Sequence, residues 1–324
     1  MIARWRRLAV CAAAALAWDS AAAHAAERFV LVVSGAAGSP SIAEEHAQWR
    51  KTLLQALDAP LRVPGDHVIV LAGGPADEAT SATRERVEAA FATLRARMRP
   101  ADLLCIVLIG HGTFDGIEAK FNLVGPDLEA GEWNALIGRL AGRVVVVNTT
   151  GASYPFLERL ASPGRVVIVA TASPAQKYDT VFPRFFTAAF ADAESDLDKD
   201  GRTSIGEAFT YASTRARRWY ERRGQLPTEL GLLDDNGDGV GQEAGKPGPD
   251  GAVASRLFLD AGPEAATSAD PAVSELIARR DALEAAVDEL KRKRAFMPPE
   301  DYARELERVL VDLARLSRRI RAGS

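Results

Sequence analysis

Leu103-Leu-Cys-Ile-Val-Leu-Ile109 is an unbroken apolar run, and it leads directly into Gly110-His111-Gly112-Thr113. A run this short, rich in branched side chains and without helical spacing, reads as a strand covered on both faces. The same kind of run recurs on either side of it, at Phe29–Val33, His67–Leu71, Arg143–Val147 and Arg165–Ala170. Amphipathic stretches separate these runs, at Glu44–Leu57, Thr83–Met98, Pro155–Ala161 and Phe182–Ala191. Within the second of them Val87, Phe91, Leu94 and Met98 share one face. Buried strands alternating with helices predict an α/β fold: an open, mostly parallel sheet flanked by helices. Ligands of such sheets bind beyond the carboxyl ends of the strands. The segments after the strands are therefore the candidates: His111-Gly112, Asn148-Thr149-Thr150-Gly151 and Ala170-Thr171-Ala172-Ser173.

The ends of the chain read differently from this core. Arg4, Arg6 and Arg7 precede a short apolar run, Leu8 to Trp18, and small residues follow through Ala26. That order is the pattern of a cleaved secretory signal over residues 1–26, and it predicts a periplasmic or secreted protein without a stable membrane anchor. Cys11 departs with the signal, so the mature chain keeps Cys105 alone and no internal disulfide can form. Residues 27–264 form the α/β domain and 265–271 a turn-rich linker. Beyond it, residues 272–322 carry two apolar seams broken at Met297-Pro298-Pro299. This predicts an antiparallel helical hairpin with coiled-coil spacing, a surface through which the chain can dock a partner or form a homo-oligomer. The full chain has a net charge of −4. With no large basic face implied, nucleic acid is not expected as a partner. Lys291-Arg-Lys-Arg294 ends the first hairpin helix, where positive charge suits the helix dipole.

From Phe29 to about Tyr211 the order and spacing of these segments resemble the caspase-like fold, and in particular the bacterial relatives of the legumain peptidases. In that group one strand ends in His-Gly with the catalytic histidine, and the next core strand ends in a turn carrying the nucleophilic cysteine. A later strand ends at a small-residue segment lining the specificity pocket. The resemblance assigns the histidine to His111, with Gly112 beside it, and the nucleophile position to Thr149, or to Thr150 with a one-residue shift. No cysteine lies there. Cys105 is six residues before His111 in the same strand, about 20 Å away at ~3.3 Å per residue. A threonine hydroxyl is much harder to deprotonate than a thiol, and its methyl crowds the line of attack.

Two acidic stretches carry calcium-loop chemistry. Asp196, Asp198, Asp200, Arg202, Ser204 and Glu207 fall on the ligand positions of the twelve-residue loop, with Gly201 at the sixth place for the sharp turn. Arg202 would contribute its carbonyl, and Glu207 both carboxylate oxygens. Thr203 stands where an apolar residue is usual. Asp234, Asn236 and Asp238, followed by Gly239, repeat the first half, but the next acid, Glu243, comes two places early. Residues 234–243 are either a shortened calcium site or an Asx-rich turn.

Together these readings predict an exported, calcium-stabilised pseudopeptidase that binds a peptide or protein partner without cutting it. The alternative is a hydrolase in which Thr149, Thr150 or Ser153 attacks an ester or peptide with His111 as base. Ser153 begins the following helix, where a serine ordinarily caps.

Overall fold

The computed structural model describes residues 26–72, 80–260 and 297–323, with single helical positions between 276 and 290. The stretches read from the sequence as a signal (1–26), save Ala26, and as a linker (265–271), and most of the stretch read as the first hairpin helix, lie outside the described residues.

Strand β1 (Arg28–Ser34) leads through helix α1 (Pro40–Asp58) to β2 (Val68–Ala72). Helix α2 (Arg84–Arg97) returns the chain to β3 (Leu103–Ile109). A small antiparallel sheet comes next: β4 (Gly112–Phe114), β5 (Ala119–Phe121) and β6 (Leu128–Glu129). Helix α3 (Ala130–Ile137) then precedes β7 (Arg143–Asn148), α4 (Tyr154–Leu160), β8 (Arg165–Val169), α5 (Phe182–Ala189) and α6 (Ile205–Glu221). Strands β9 (Leu232–Asp234) and β10 (Gln242–Glu243) complete the domain.

The main sheet has seven strands in the order β10-β9-β8-β7-β3-β1-β2. The five strands from β2 to β8 are parallel, and β9 and β10 add antiparallel pairs at one edge. The five apolar runs are those five parallel strands. Alternate residues feed opposite faces: Val30, Cys105, Val145 and Ile168 belong to one core layer, and Leu31, Ile106, Val146 and Val167 to the other. Cys105 is fully buried, and burial pushes its thiol up to about 12, so it is inert filling.

The chain leaves β1 toward β2 on one side and comes back to β3 on the other. The order of strands therefore reverses between β1 and β3, and the crevice beyond their carboxyl ends is where an α/β sheet holds a ligand. His111 stands there. The small sheet, α3, β9 and β10 were not among the expected elements.

The last helix, α7 (Pro299–Gly323), buries Val309 with Val287 and Leu290, and Tyr302 and Leu306 pack against them. Among the described residues no helix is long and apolar enough to cross a membrane.

Candidate functional site

Residues Leu108 on β3 and Asn148 on β7 are paired in register, so His111 and the Thr149-Thr150 turn emerge at the same end of neighbouring strands. The two segments touch. A Cβ added to Gly112 would sit 2.4 Å from Thr150 Oγ1 and 2.6 Å from the Gly151 carbonyl. Glycine is thus required at 112 for close approach. Gly112→Ala is expected to cost about 2 kcal/mol in a urea melt, since one of the two obstructions is backbone.

The hydroxyls at this turn face inward. Thr149 Oγ1 donates to the Leu108 carbonyl at 2.7 Å. Thr150 Oγ1 donates to Asn148 Oδ1 at 2.8 Å and also lies 3.1 Å from the Gly151 carbonyl. Both threonines are buried. Ser153 precedes α4 without capping it; its Oγ instead shares a hydrogen bond of 3.0 Å with Thr171 Oγ1. None of the three hydroxyls is bonded to His111. The Leu108 carbonyl also accepts from the Thr149 N–H, so Thr149→Val should lose only about 1 kcal/mol by denaturant titration.

The His111 ring is held at both nitrogens: Nε2 lies 2.9 Å from the Ala37 carbonyl, beyond the end of β1, and Nδ1 lies 3.0 Å from Asp179 Oδ1. A carbonyl acceptor at Nε2 requires a proton on that nitrogen. In this arrangement the nitrogen is a donor and cannot take a proton from a nucleophile. A second histidine, His46 on α1, has its ring centre 5.7 Å from that of His111. His46 is buried, its Nδ1 has no hydrogen-bond partner among the described residues, and burial followed by the nearby His111 pulls it down to about 4. It is therefore neutral at ordinary pH.

The loop after β8 is anchored from below. Thr180 donates to the Thr149 carbonyl, and the Val181 and Phe182 amides donate to the buried carboxylate of Glu229. Burial pushes that carboxyl from 4.5, its ordinary value, up to about 7. Asp179 is thus set one residue before a pinned segment. Sequence reading missed His46, Asp179 and Glu229. None of the three carried a sequence signal: Asp179 lies ten residues beyond the end of β8, late in its loop.

Away from this crevice, Asp196, Asp198 and Glu207 bring carboxylate oxygens within 4.8 Å of one another, a group that could hold a metal ion. The loop geometry is built by backbone donors. Asp196 Oδ2 accepts from Gly201 N, Asp198 Oδ1 from Asp200 N, Asp200 Oδ1 from Arg202 N, and Glu207 Oε1 from the amides of Leu197 and Asp198. Asp196 Oδ1 is buried with no partner. Asp200 is not part of this group, and the side chains of Ser204 and Arg202 are engaged elsewhere, which leaves the Arg202 carbonyl expected as a ligand untouched. Asp200 is turned onto Arg202 N, Ser204 caps α6 in a box with Glu207, and the Arg202 guanidinium pairs with Asp260 across the Phe258 ring.

The second acidic stretch repeats most of this pattern, with Asp234 Oδ1 in addition accepting from Gly237 N. Asp234 Oδ2 accepts from Gly239 N, Asn236 Oδ1 from Asp238 N, and Asp238 Oδ1 from Val240 N. Asp250 Oδ1 then accepts from the amides of Asp235 and Asn236, as Glu207 does in the first loop. Glu243 takes no part: it lies in β10 and pairs with Lys246. Asp250 stands to this loop's amides as Glu207 stands to those of the first. Its Oδ2 is buried without a partner, and burial pushes it up to about 6. The length of chain between Val240 and Asp250 hides it from any fixed-spacing motif.

No family model matches the chain, and no curated protein matches it. Among solved structures it is similar to protein GSU0716 from Geobacter sulfurreducens, at 14% identity and a TM-score of 0.45. That match covers 72% of this chain and 98% of that one.

Proposed function

We propose that the chain is an exported, catalytically silent relative of the caspase-like peptidases, which binds an extended peptide or protein segment in the His111 crevice without cleaving it. The observation that supports this most is the state of the reacting groups. The hydroxyls of Thr149 and Thr150 are spent on protein acceptors, and His111 is tied to Ala37 and Asp179. Such a site has hydrogen-bonding groups for recognition and no activated nucleophile. Calcium is the cation proposed for both acidic loops, because every donor is a hard oxygen and calcium takes such ligands in adaptable geometry. The residues proposed to hold it are Asp196, Asp198, Asp200, Glu207 and the Arg202 carbonyl in one loop, and Asp234, Asn236, Asp238 and Asp250 in the other. Its role there is to stiffen the segments on either side of α6. The helical end of the chain is proposed to pair with a partner or a second copy.

Peptides selected by display on the intact chain test the crevice. His111→Ala and Asp179→Ala should each weaken the selected peptides at least about tenfold, as expected for residues at the centre of a contact. Binding undiminished by both substitutions would place the peptide elsewhere and contradict the reading.

A further inference from the structure

The far end of α6 carries arginines that no acid among the described residues pairs with. Arg217, Arg218, Arg222 and Arg223 are exposed and form no ion pair among the described residues, whereas Arg215 on the same helix is paired with Glu194. Glu221 is the only acid between positions 216 and 228. Positive charge near a helix C-terminus complements the dipole, but that accounts for a residue or two in the last turn. The dipole gives no reason for the apolar turn beyond the helix. Arg223 lies over the Trp219 ring at 3.8 Å, and Gly224, at φ +63, turns the chain back. Leu226 then stands on the outside of the turn at 88% exposure, with Leu230 exposed beyond it. The turn is held in shape by Gln225 N bonded to the Tyr220 carbonyl and by Tyr220 Oη bonded to Thr228 at 2.9 Å.

We propose that this end of α6 and the turn after it form a peripheral docking surface for an anionic lipid bilayer. Guanidinium groups sit at the level of lipid phosphates, and an exposed apolar side chain on the turn that follows reaches the boundary of the acyl chains. Acidic protein surfaces would satisfy the arginines but give Leu226 no place. The patch is basic in a chain of net charge −4, so its attraction is local and short in range. The turn is already ordered, so little conformational freedom is lost on binding.

The test is sedimentation of the intact chain with vesicles of phosphatidylcholine containing about one-third phosphatidylglycerol, beside vesicles of phosphatidylcholine alone. Binding is expected to the first and not to the second, and to be abolished by ~1 M salt. Arg217→Glu with Arg218→Glu should weaken it by more than about 100-fold, at roughly fivefold per unit of charge. The milder Arg217→Gln with Arg218→Gln should weaken it about 20-fold, and this pair guards against a folding defect in the reversed one. Leu226→Asn should cost about tenfold and leave the salt dependence unchanged. Failure to bind anionic vesicles, equal binding to neutral ones, or binding that survives charge reversal would overturn the proposal. Capture of the chain by polyglutamate in place of vesicles would also overturn it, in favour of an acidic protein partner.

Discussion

Adding calcium to the chelator-treated chain should raise its unfolding free energy by about 3 kcal/mol for each occupied loop, once calcium is ~100-fold above the dissociation constant. The physical reason is the crowding of like charge. Asp196, Asp198 and Glu207 hold their ligand oxygens within 4.8 Å of one another. Each such pair repels by about 1 kcal/mol even in bulk water. A divalent cation replaces that repulsion with attraction, and folding binds it because the unfolded chain has no such cluster. Glu207→Gln is the informative variant. Its single oxygen keeps the Leu197 and Asp198 amides but leaves the Ser204 N–H without its acceptor, so the apo protein should lose about 1 to 2 kcal/mol. The calcium increment of the first loop should vanish. Asp250→Asn should do the same for the second loop, and the double variant should be indifferent to calcium. Calorimetric unfolding with and without chelator measures all four proteins. A double variant that still gains stability from calcium would put the ion elsewhere.

The second large effect is a dependence on pH set by Glu229. Its carboxyl is pushed up to about 7 by burial, so between pH 4.5 and 7 the folded chain holds a proton that the unfolded chain has released. Stability from this group is therefore lost as pH rises through that window, by about 3 kcal/mol in all. His46 works in the opposite sense. Being pulled down to about 4, it makes the folded chain reluctant to take a proton that the unfolded chain binds below 6.5, so stability from it is gained as pH rises. The two slopes offset each other at mildly acidic pH, and the wild-type curve alone would hide both. Glu229→Gln exposes them. Relative to wild type the variant should gain about 3 kcal/mol between pH 4.5 and pH 8. Asp250, also raised, is common to both proteins and cancels in the difference. Parallel curves for the two proteins would mean that Glu229 does not titrate in that window.

The parallel half of the sheet was legible because its strands are buried on both faces and write themselves as unbroken apolar runs; Leu103–Ile109 appears in the structure with the bounds read from the sequence. Strands β4, β5, β6, β9 and β10 were not, since pieces of two or three residues such as Leu232–Asp234 carry no periodicity. In the crevice, His111 and the Thr149 turn could be placed because both lie directly after strong strands. His46 could not: it reaches His111 from a helix some 65 positions earlier, and only the packing of α1 on the sheet brings it there. Glu229 and Asp250 obey the same rule. Each is positioned by backbone amides of a distant segment, Val181 in one case and Asp235 in the other, and amides leave no trace in a side-chain motif.

The idleness of the threonine hydroxyls is tested most directly by incubating the purified chain with a diverse peptide library in calcium. Mass spectrometry of the mixture should find every peptide intact, because Thr149 and Thr150 donate to Leu108 and Asn148 and no base reaches them. Cleavage that depends on calcium and disappears in His111→Ala would contradict this, and would make the crevice an active site.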